Sequence, residues 1–219
     1  MYQTDMKTYI THAPEAFAIV FVILCLRMYK LAAVVALVFV AFYRGGRVNM
    51  GTSDDMVYSP CNGKVSAVRT DSETGRRFVS VFLNLHNVHV QYVPVDGVVE
   101  SVRHTPGTFH PAYMFEKSSF NERTETVIRA QNQDRITVTQ IAGQVARRIK
   151  TFANPGDRVS KGDPLGLIKF GSRVDITAPP SATPVVSVGD AVDIGDVLFS
   201  LRQGHGHTDS FADSFGTGM

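Results

Sequence analysis

"GDRVSKGDPLGLI", residues 156–168, returns as "GDAVDIGDVLFSL", residues 189–201, with Gly, Asp, Val, Gly, Asp and Leu recurring at a constant offset of 33. Self-similarity at a fixed period marks a repeated structural unit. The two segments are therefore expected to share one turn-strand shape and to be related by a pseudo-twofold. Around them the chain reads as short strands. The runs "GKVSAVRT", "RRFVSVFLNL", "VHVQYVPVDGVVESV", "TVIRAQ", "RITVTQIAG" and "RRIKTFA" are rich in Val, Ile and Phe and bounded by Gly, Pro, Asn or Asp. Such spacing favours a mostly β sandwich or barrel.

The 219 residues are 44% hydrophobic and carry a net charge of +2, enough for one ordinary core and too balanced for a nucleic-acid surface. Cys25 and Cys61 make no disulfide framework and lack metal-ligand spacing. At the N-terminus, apolar runs of 11 and 12 residues flank Arg27 and Lys30 in "AFAIVFVILCLRMYKLAAVVALVFVAFYR". Each run is shorter than the roughly 20 residues a single span needs, and two central charges make one straight crossing costly. A helical hairpin lying in one leaflet is expected, giving a membrane-associating segment over residues 1–44. The Gly-rich "GGRVNMGTSDD" then leads into a β domain over 45–202. Residues 203–219 read as a flexible tail whose His205 and His207 do not make a closed metal site. No metal is expected.

The G-D-x-V-x-x-G-D-x-L pattern resembles the half-motif of biotinyl and lipoyl carrier domains, which implies a barrel-sandwich with extra strands here. A carrier would need a modified lysine on the turn between the halves. That place holds "KFGSRVD", with Lys169 in a poor context for it.

The same stretch puts Gly171 and Ser172 between two apolar runs. A Gly there ordinarily marks a bulge or a close backbone approach. The pair also permits a reaction. A serine hydroxyl can attack the preceding carbonyl and turn the amide into an ester, and glycine leaves that carbonyl unhindered. Elimination then gives dehydroalanine, which hydrolyses to a pyruvoyl group with loss of ammonia.

"LGLIKFGSRVDI", "DRITVTQIAGQVARRI", "VYSPCNGKV", "VFLNLHNVHVQYVPVDGVVESV" and "NERTETVI" together closely resemble the short-form phosphatidylserine decarboxylases, including their archaeal archaetidylserine relatives. The resemblance runs from about residue 42 through Leu201. It implies a proenzyme that cleaves itself at Gly171-Ser172 into a β chain, 1–171, and an α chain, 172–219, the two remaining associated. The covalent pyruvoyl group from Ser172 would form a Schiff base with the serine headgroup of phosphatidylserine or an archaetidylserine-like lipid. Carbon dioxide leaves and the ethanolamine lipid is released by this pyruvoyl-dependent carboxy-lyase. A membrane partner follows, with the enzyme on the cell membrane, at its cytoplasmic face in a prokaryote, and a homodimer is what the family suggests.

His89 falls on the family's strand histidine and is the expected general acid/base, with His86 near the mouth of the site. Tyr92 stands where relatives more often carry Arg. Relatives usually read "SPADG" where this chain has "SPCNG", so Asn62 replaces a carboxylate expected to orient the imidazole. An unprocessed, lipid-binding pseudoenzyme is the alternative this substitution raises. Arg147 and Arg148 are candidates for the lipid phosphate, and "YMFEKSSF", 113–120, for an acyl-chain entrance or interfacial contact. Cys61 reads as packing.

Overall fold

The computed structural model describes residues 18, 21–37, 48–84, 87–111, 114–144, 148–168 and 172–201. The chain divides into two compact units, Met1–Arg44 and Gly45–Met219. In the first, residues 21–37 form one uninterrupted helix, α1, with Arg27 and Lys30 in its middle. The hairpin expected to turn there is not formed. "LRMYKLAA" holds no Gly, Pro or Asn to reverse the chain, and Leu, Arg, Met, Lys and Ala are all strong helix formers. No described helix is long and apolar enough to cross a membrane.

The described residues of the second unit form antiparallel β with one short helix. Its elements are β1 (Met56–Tyr58), β2 (Gly63–Thr70), β3 (Arg77–Leu83), β4 (Val90–Tyr92), β5 (Gly97–Thr105), α2 (Phe115–Ser118), β6 (Arg123–Ala130) and β7 (Arg135–Ala142). There follow β8 (Ile149–Thr151), β9 (Arg158–Val159), β10 (Pro164–Ile168), β11 (Ser172–Ala178), β12 (Thr183–Pro184), β13 (Ala191–Val192) and β14 (Val197–Ser200). Eight strands form one sheet in the order β13-β2-β3-β11-β7-β6-β5-β9, and two three-stranded sheets run β1-β14-β12 and β4-β10-β8. All three sheets feed one apolar cluster, with Val57, Leu198 and Phe199 from one small sheet, Leu165 and Ile168 from the other, and Val79, Val81, Val138, Val174 and Ile176 from the large one.

The repeat reaches further than the sequence reading takes it. Four turns share one construction. Asp157, Asp163, Asp190 and Asp196 each accept, through the carboxylate, the N–H of the residue three before, at 2.7, 2.8, 2.8 and 2.7 Å. The glycine before each Asp has a φ between 94° and 102°, which a side chain would resist, as a type II turn demands. These turns grip four residues upstream by paired backbone hydrogen bonds. Gly195 and Asp196 hold Ser59, Gly189 and Asp190 hold Val65, Gly162 and Asp163 hold Val93, and Gly156 and Asp157 hold Val99. "SPCNGKV" (59–65) and "VPVDGVV" (93–99) are thus matching pieces, offset by 34 residues. Both halves also carry a bulge at the same place, between Val65 and Ala67 in β2 and between Val99 and Ser101 in β5. The run "VHVQYVPVDGVVESV", read as one strand, is accordingly two, β4 and β5, because residues 93–96 leave the ladder to meet the turn at Asp163.

Candidate active site

β11 occupies the middle of the large sheet, paired with β3 from Ser172↔Leu83 to Ala178↔Arg77 and with β7 from Ser172↔Ala142 to Thr177↔Thr137. Ser172 is its first residue and stands in regular register with both neighbours. Successive side chains alternate across a strand. Val174, Ile176 and Ala178 enter the core, so Ser172 faces the core as well. It is fully buried, and its Oγ has no hydrogen-bond partner among the described residues. A buried hydroxyl left unpaired costs about 1–3 kcal/mol, which makes this position a poor choice for mere packing. Gly171 and Lys169 lie outside the described residues.

His89, also fully buried, precedes β4. Its Nδ1 is 2.7 Å from the Asn87 carbonyl oxygen, which can only accept, so Nδ1 carries the proton and Nε2 bears the lone pair in the neutral ring. The His89 carbonyl accepts from Ile168 N–H at 3.1 Å. Ile168 ends β10, and only residues 169–171 separate it from Ser172. His89 is therefore tied to the strand from which the Gly171-Ser172 bond continues.

Asn62 is not the group that holds Nδ1 of the imidazole. Its Oδ1 accepts the backbone N–H of Val88 at 3.0 Å, while the Asn87 carbonyl holds the ring. Either an amide or a carboxylate oxygen can accept that N–H, so the substitution is tolerated where it stands. In the other half of the repeat the matching residue, Asp96, accepts the N–H of Lys161 at 2.7 Å and pairs with its ammonium at 3.4 Å. The two halves have put one position to different uses.

A buried amide relay supports His89 from behind. Gln91 Nε2 donates to the His89 carbonyl at 2.7 Å, Gln140 Nε2 donates to Gln91 Oε1 at 2.7 Å, and Thr151 Oγ1 donates to Gln140 Oε1 at 3.2 Å. Gln140 fits only because residue 166 is glycine. A Cβ there would lie 2.7 Å from Gln140 Nε2 and 2.7 Å from the Lys150 carbonyl oxygen, backbone that cannot yield. Gly166→Ala is expected to destabilise the fold by about 1–3 kcal/mol through overpacking. Denaturant midpoints would check this, and an unchanged midpoint would show the seat to be loose. The sequence reading missed both glutamines. Their signal was present as polar residues at inward positions of apolar strands.

Cys61 is buried, and burial pushes its thiol well above the ordinary range despite the Ser59 hydroxyl nearby, so it is no nucleophile. Arg148 is exposed and immediately precedes β8, whose Ile149 pairs with Ile168. Arg147 and His86 lie outside the described residues, as do His205 and His207. In the 113–120 stretch, Met114 and Phe120 are exposed, Phe120 at 72%. Next to Phe120, Asn121 is fully buried and donates to the carbonyl oxygens of His110 and Ala142, both at 2.8 Å. Since Ala142 pairs with Ser172, this anchor sets the segment at the serine's end of the sheet.

A family model described as phosphatidylserine decarboxylase matches residues 35–200. The chain belongs to the phosphatidylserine decarboxylase family. The putative archaetidylserine decarboxylase proenzyme of Methanococcoides burtonii is 40% identical over 162 residues, 74% of each chain. The phosphatidylserine decarboxylase proenzyme of Solidesulfovibrio magneticus is 39% identical over 165 residues, 74% of this chain and 77% of that one. Among solved structures, glucose permease IIA from Mycoplasma capricolum gives a TM-score of 0.40 at 17% identity, covering 67% of this chain and 95% of that one, too low to argue from. The protein is thus an enzyme, a decarboxylase, and its relatives are named as proenzymes.

Proposed function

We propose that this decarboxylase makes its own carbonyl cofactor by cleaving the Gly171-Ser172 bond, and acts on the serine headgroup of phosphatidylserine or an archaetidylserine-like lipid. The observation that carries the reading is the buried Ser172 Oγ, without a hydrogen-bond partner among the described residues, at the head of a central strand. Oγ attacks the Gly171 carbonyl carbon as the C–N bond breaks, giving an ester. Loss of a proton from Ser172 Cα then expels the Gly171 carboxylate. The resulting dehydroalanine takes up water and releases ammonia, leaving a pyruvoyl group at the head of the α chain.

The residues present suit that group. It is small and uncharged, and residue 172 sits between Leu83 and Ala142 in a buried apolar layer. Its carbonyl supplies an electron sink for the pair left behind by carbon dioxide. The lone pair on His89 Nε2 takes the hydroxyl proton during cleavage and passes it to the departing Ser172 nitrogen, and in each turnover the ring, reprotonated from solvent, gives a proton to the substrate carbon. Arg148, exposed at the Ile168 end of β8, and Arg147 beside it offer charge for the lipid phosphate. The product is the ethanolamine lipid.

The acyl chains of such a substrate stay in a bilayer, so membrane association belongs to the same reading, at the cytoplasmic face of a prokaryotic cell membrane. It is supported by the exposed apolar side chains of α1 and by Met114 and Phe120. The finer architecture we assign is a barrel-sandwich built from the two repeat halves, with cleaved β and α chains held together by the β11 ladder and a homodimer as the working assembly. With Asn62 on the Val88 amide, its lack of charge no longer counts against cleavage.

An intact mass spectrum of the purified protein tests this. Two chains divided between Gly171 and Ser172, the smaller with a pyruvoyl terminus, are expected, and a single persistent chain would refute it. The half-time of cleavage should respond little to Asn62→Asp. A carboxylate that holds the ring itself is worth about 10⁴-fold in comparable triads, whereas here a change below about tenfold is expected. An acceleration near the larger figure, followed by mass spectrometry over time, would place residue 62 on the imidazole during reaction.

A further inference from the structure

On the face of β11 opposite Ser172 lies a buried charge pair that the cleavage chemistry does not use. Arg173 and Asp175 are 3% and 5% exposed. The guanidinium pairs with the carboxylate, Nη2 donating to Oδ2 at 3.1 Å while Nε lies 3.0 Å from Oδ1 as an ion-pair contact without the alignment of a hydrogen bond. Nη1 donates to Ser118 Oγ at 2.6 Å, reaching the last residue of α2. From the other side, Ser80 Oγ of β3 donates to Asp175 Oδ1 at 2.6 Å, and Ser66 Oγ of β2 donates to Ser80 Oγ at 3.1 Å. Burial pushes the Asp175 carboxyl up, while the Arg173 guanidinium and the Ser80 hydroxyl draw it back down. Apolar side chains would stabilise a sheet at least as well as a buried ion pair, so its presence calls for a role in specifying geometry.

Cleavage creates that need. Before it, residue 172 is fixed by the chain on both sides. Afterwards it is the free end of a strand, it has lost its own N–H, and strand ends fray. The first residue that can still anchor the end is Arg173. We propose that Arg173, clamped between Asp175 and Ser118, is a positioning residue that holds the newly cut α-chain terminus in register, so that the reactive carbonyl at position 172 stays where the substrate and His89 meet it. The inference rests on cleavage at Ser172. It adds that α2, through Ser118, is part of the device that keeps the cut end in place.

Arg173→Lys keeps the charge but cannot reach Asp175 and Ser118 at once with the planar guanidinium, and Ser118→Ala removes one contact with little risk to folding. Each is purified alongside the wild type and an uncleaved Ser172→Ala reference, and three quantities are read. These are the half-time of cleavage by mass spectrometry, amide hydrogen exchange at residues 173–175, and kcat and KM on a short-chain soluble phosphatidylserine.

In both variants cleavage should stay within about threefold of wild type, because the intact chain still holds residue 172. After cleavage, exchange at 173–175 should rise at least tenfold, yet stay near wild type when either change is made in the uncleaved reference. For Arg173→Lys, kcat should fall by about 10- to 100-fold with KM within twofold, the size of loss that follows an ångström-scale misplacement of a reacting group. Wild-type kcat and wild-type protection in both cleaved variants would overturn the proposal. So would faster exchange of equal size before and after cleavage, which is the signature of a plain stability element. A wild-type protein cut elsewhere, or not cut, would instead remove the cleavage reading and this inference with it.

Discussion

Ser172→Ala leaves one uncut chain with no decarboxylase activity, and the fold survives. The chemical half of this expectation is complete loss, because alanine carries no hydroxyl to attack the preceding carbonyl and form the ester. The structural half follows from burial. Ser172 Oγ has no hydrogen-bond partner among the described residues, so removing it deletes an unsatisfied polar atom from an apolar layer. Alanine should therefore be neutral or stabilising, by up to about 1 kcal/mol. Intact mass gives the first answer and a denaturation curve the second. Continued cleavage would move the nucleophile elsewhere. A chain that is uncut and also markedly destabilised would mean that the serine is structural and that its lost activity says nothing about chemistry.

His89→Gln slows self-cleavage by about 10²–10⁴-fold, the usual worth of a positioned acid/base, without unfolding the protein. Glutamine fills similar space and offers an amide but no basic nitrogen. The contacts by which residue 89 supports the fold are made by its backbone, whose carbonyl accepts from Ile168 N–H and Gln91 Nε2. Those survive the substitution. Time courses of chain cleavage at several pH values are the measurement. A wild-type rate would assign the proton transfer to another group, and His86 would be examined next. A slow rate together with lost cooperativity in unfolding would return His89 to the role of a satisfied core histidine.

Much of the architecture was readable in the chain. "GKVSAVRT" is β2 from end to end, and the Gly-Asp pairs of the two C-terminal repeats mark turns in which glycine takes the positive φ. Such signals are local, since period-two alternation and turn chemistry act within a few residues. The N-terminal counterparts "SPCNGKV" and "VPVDGVV" carry the same signal more faintly, as P-x-[N/D]-G-x-V at an offset of 34. Their kinship shows only when both are seen gripped by matching turns. The helical hairpin is replaced by one continuous helix for a related reason. The length rule for membrane spans set the break between two apolar runs, whereas local propensity in "LRMYKLAA" favours continuing the helix.

By itself, the sequence determined the β character, the 33-residue repeat, the candidate cleavage pair and His89, because turn residues, alternation and motif order are properties of neighbours along a chain. Only the tertiary structure decided which way each of these faces. It buried the Ser172 hydroxyl without a partner among the described residues, gave the His89 ring to the Asn87 carbonyl and Asn62 to the Val88 amide, and set Arg173 against Asp175 and Ser118. Those pairings join residues up to 55 positions apart. They depend on the register of β11 between β3 and β7, and register is fixed by the packing of the whole sheet, not by any stretch within it.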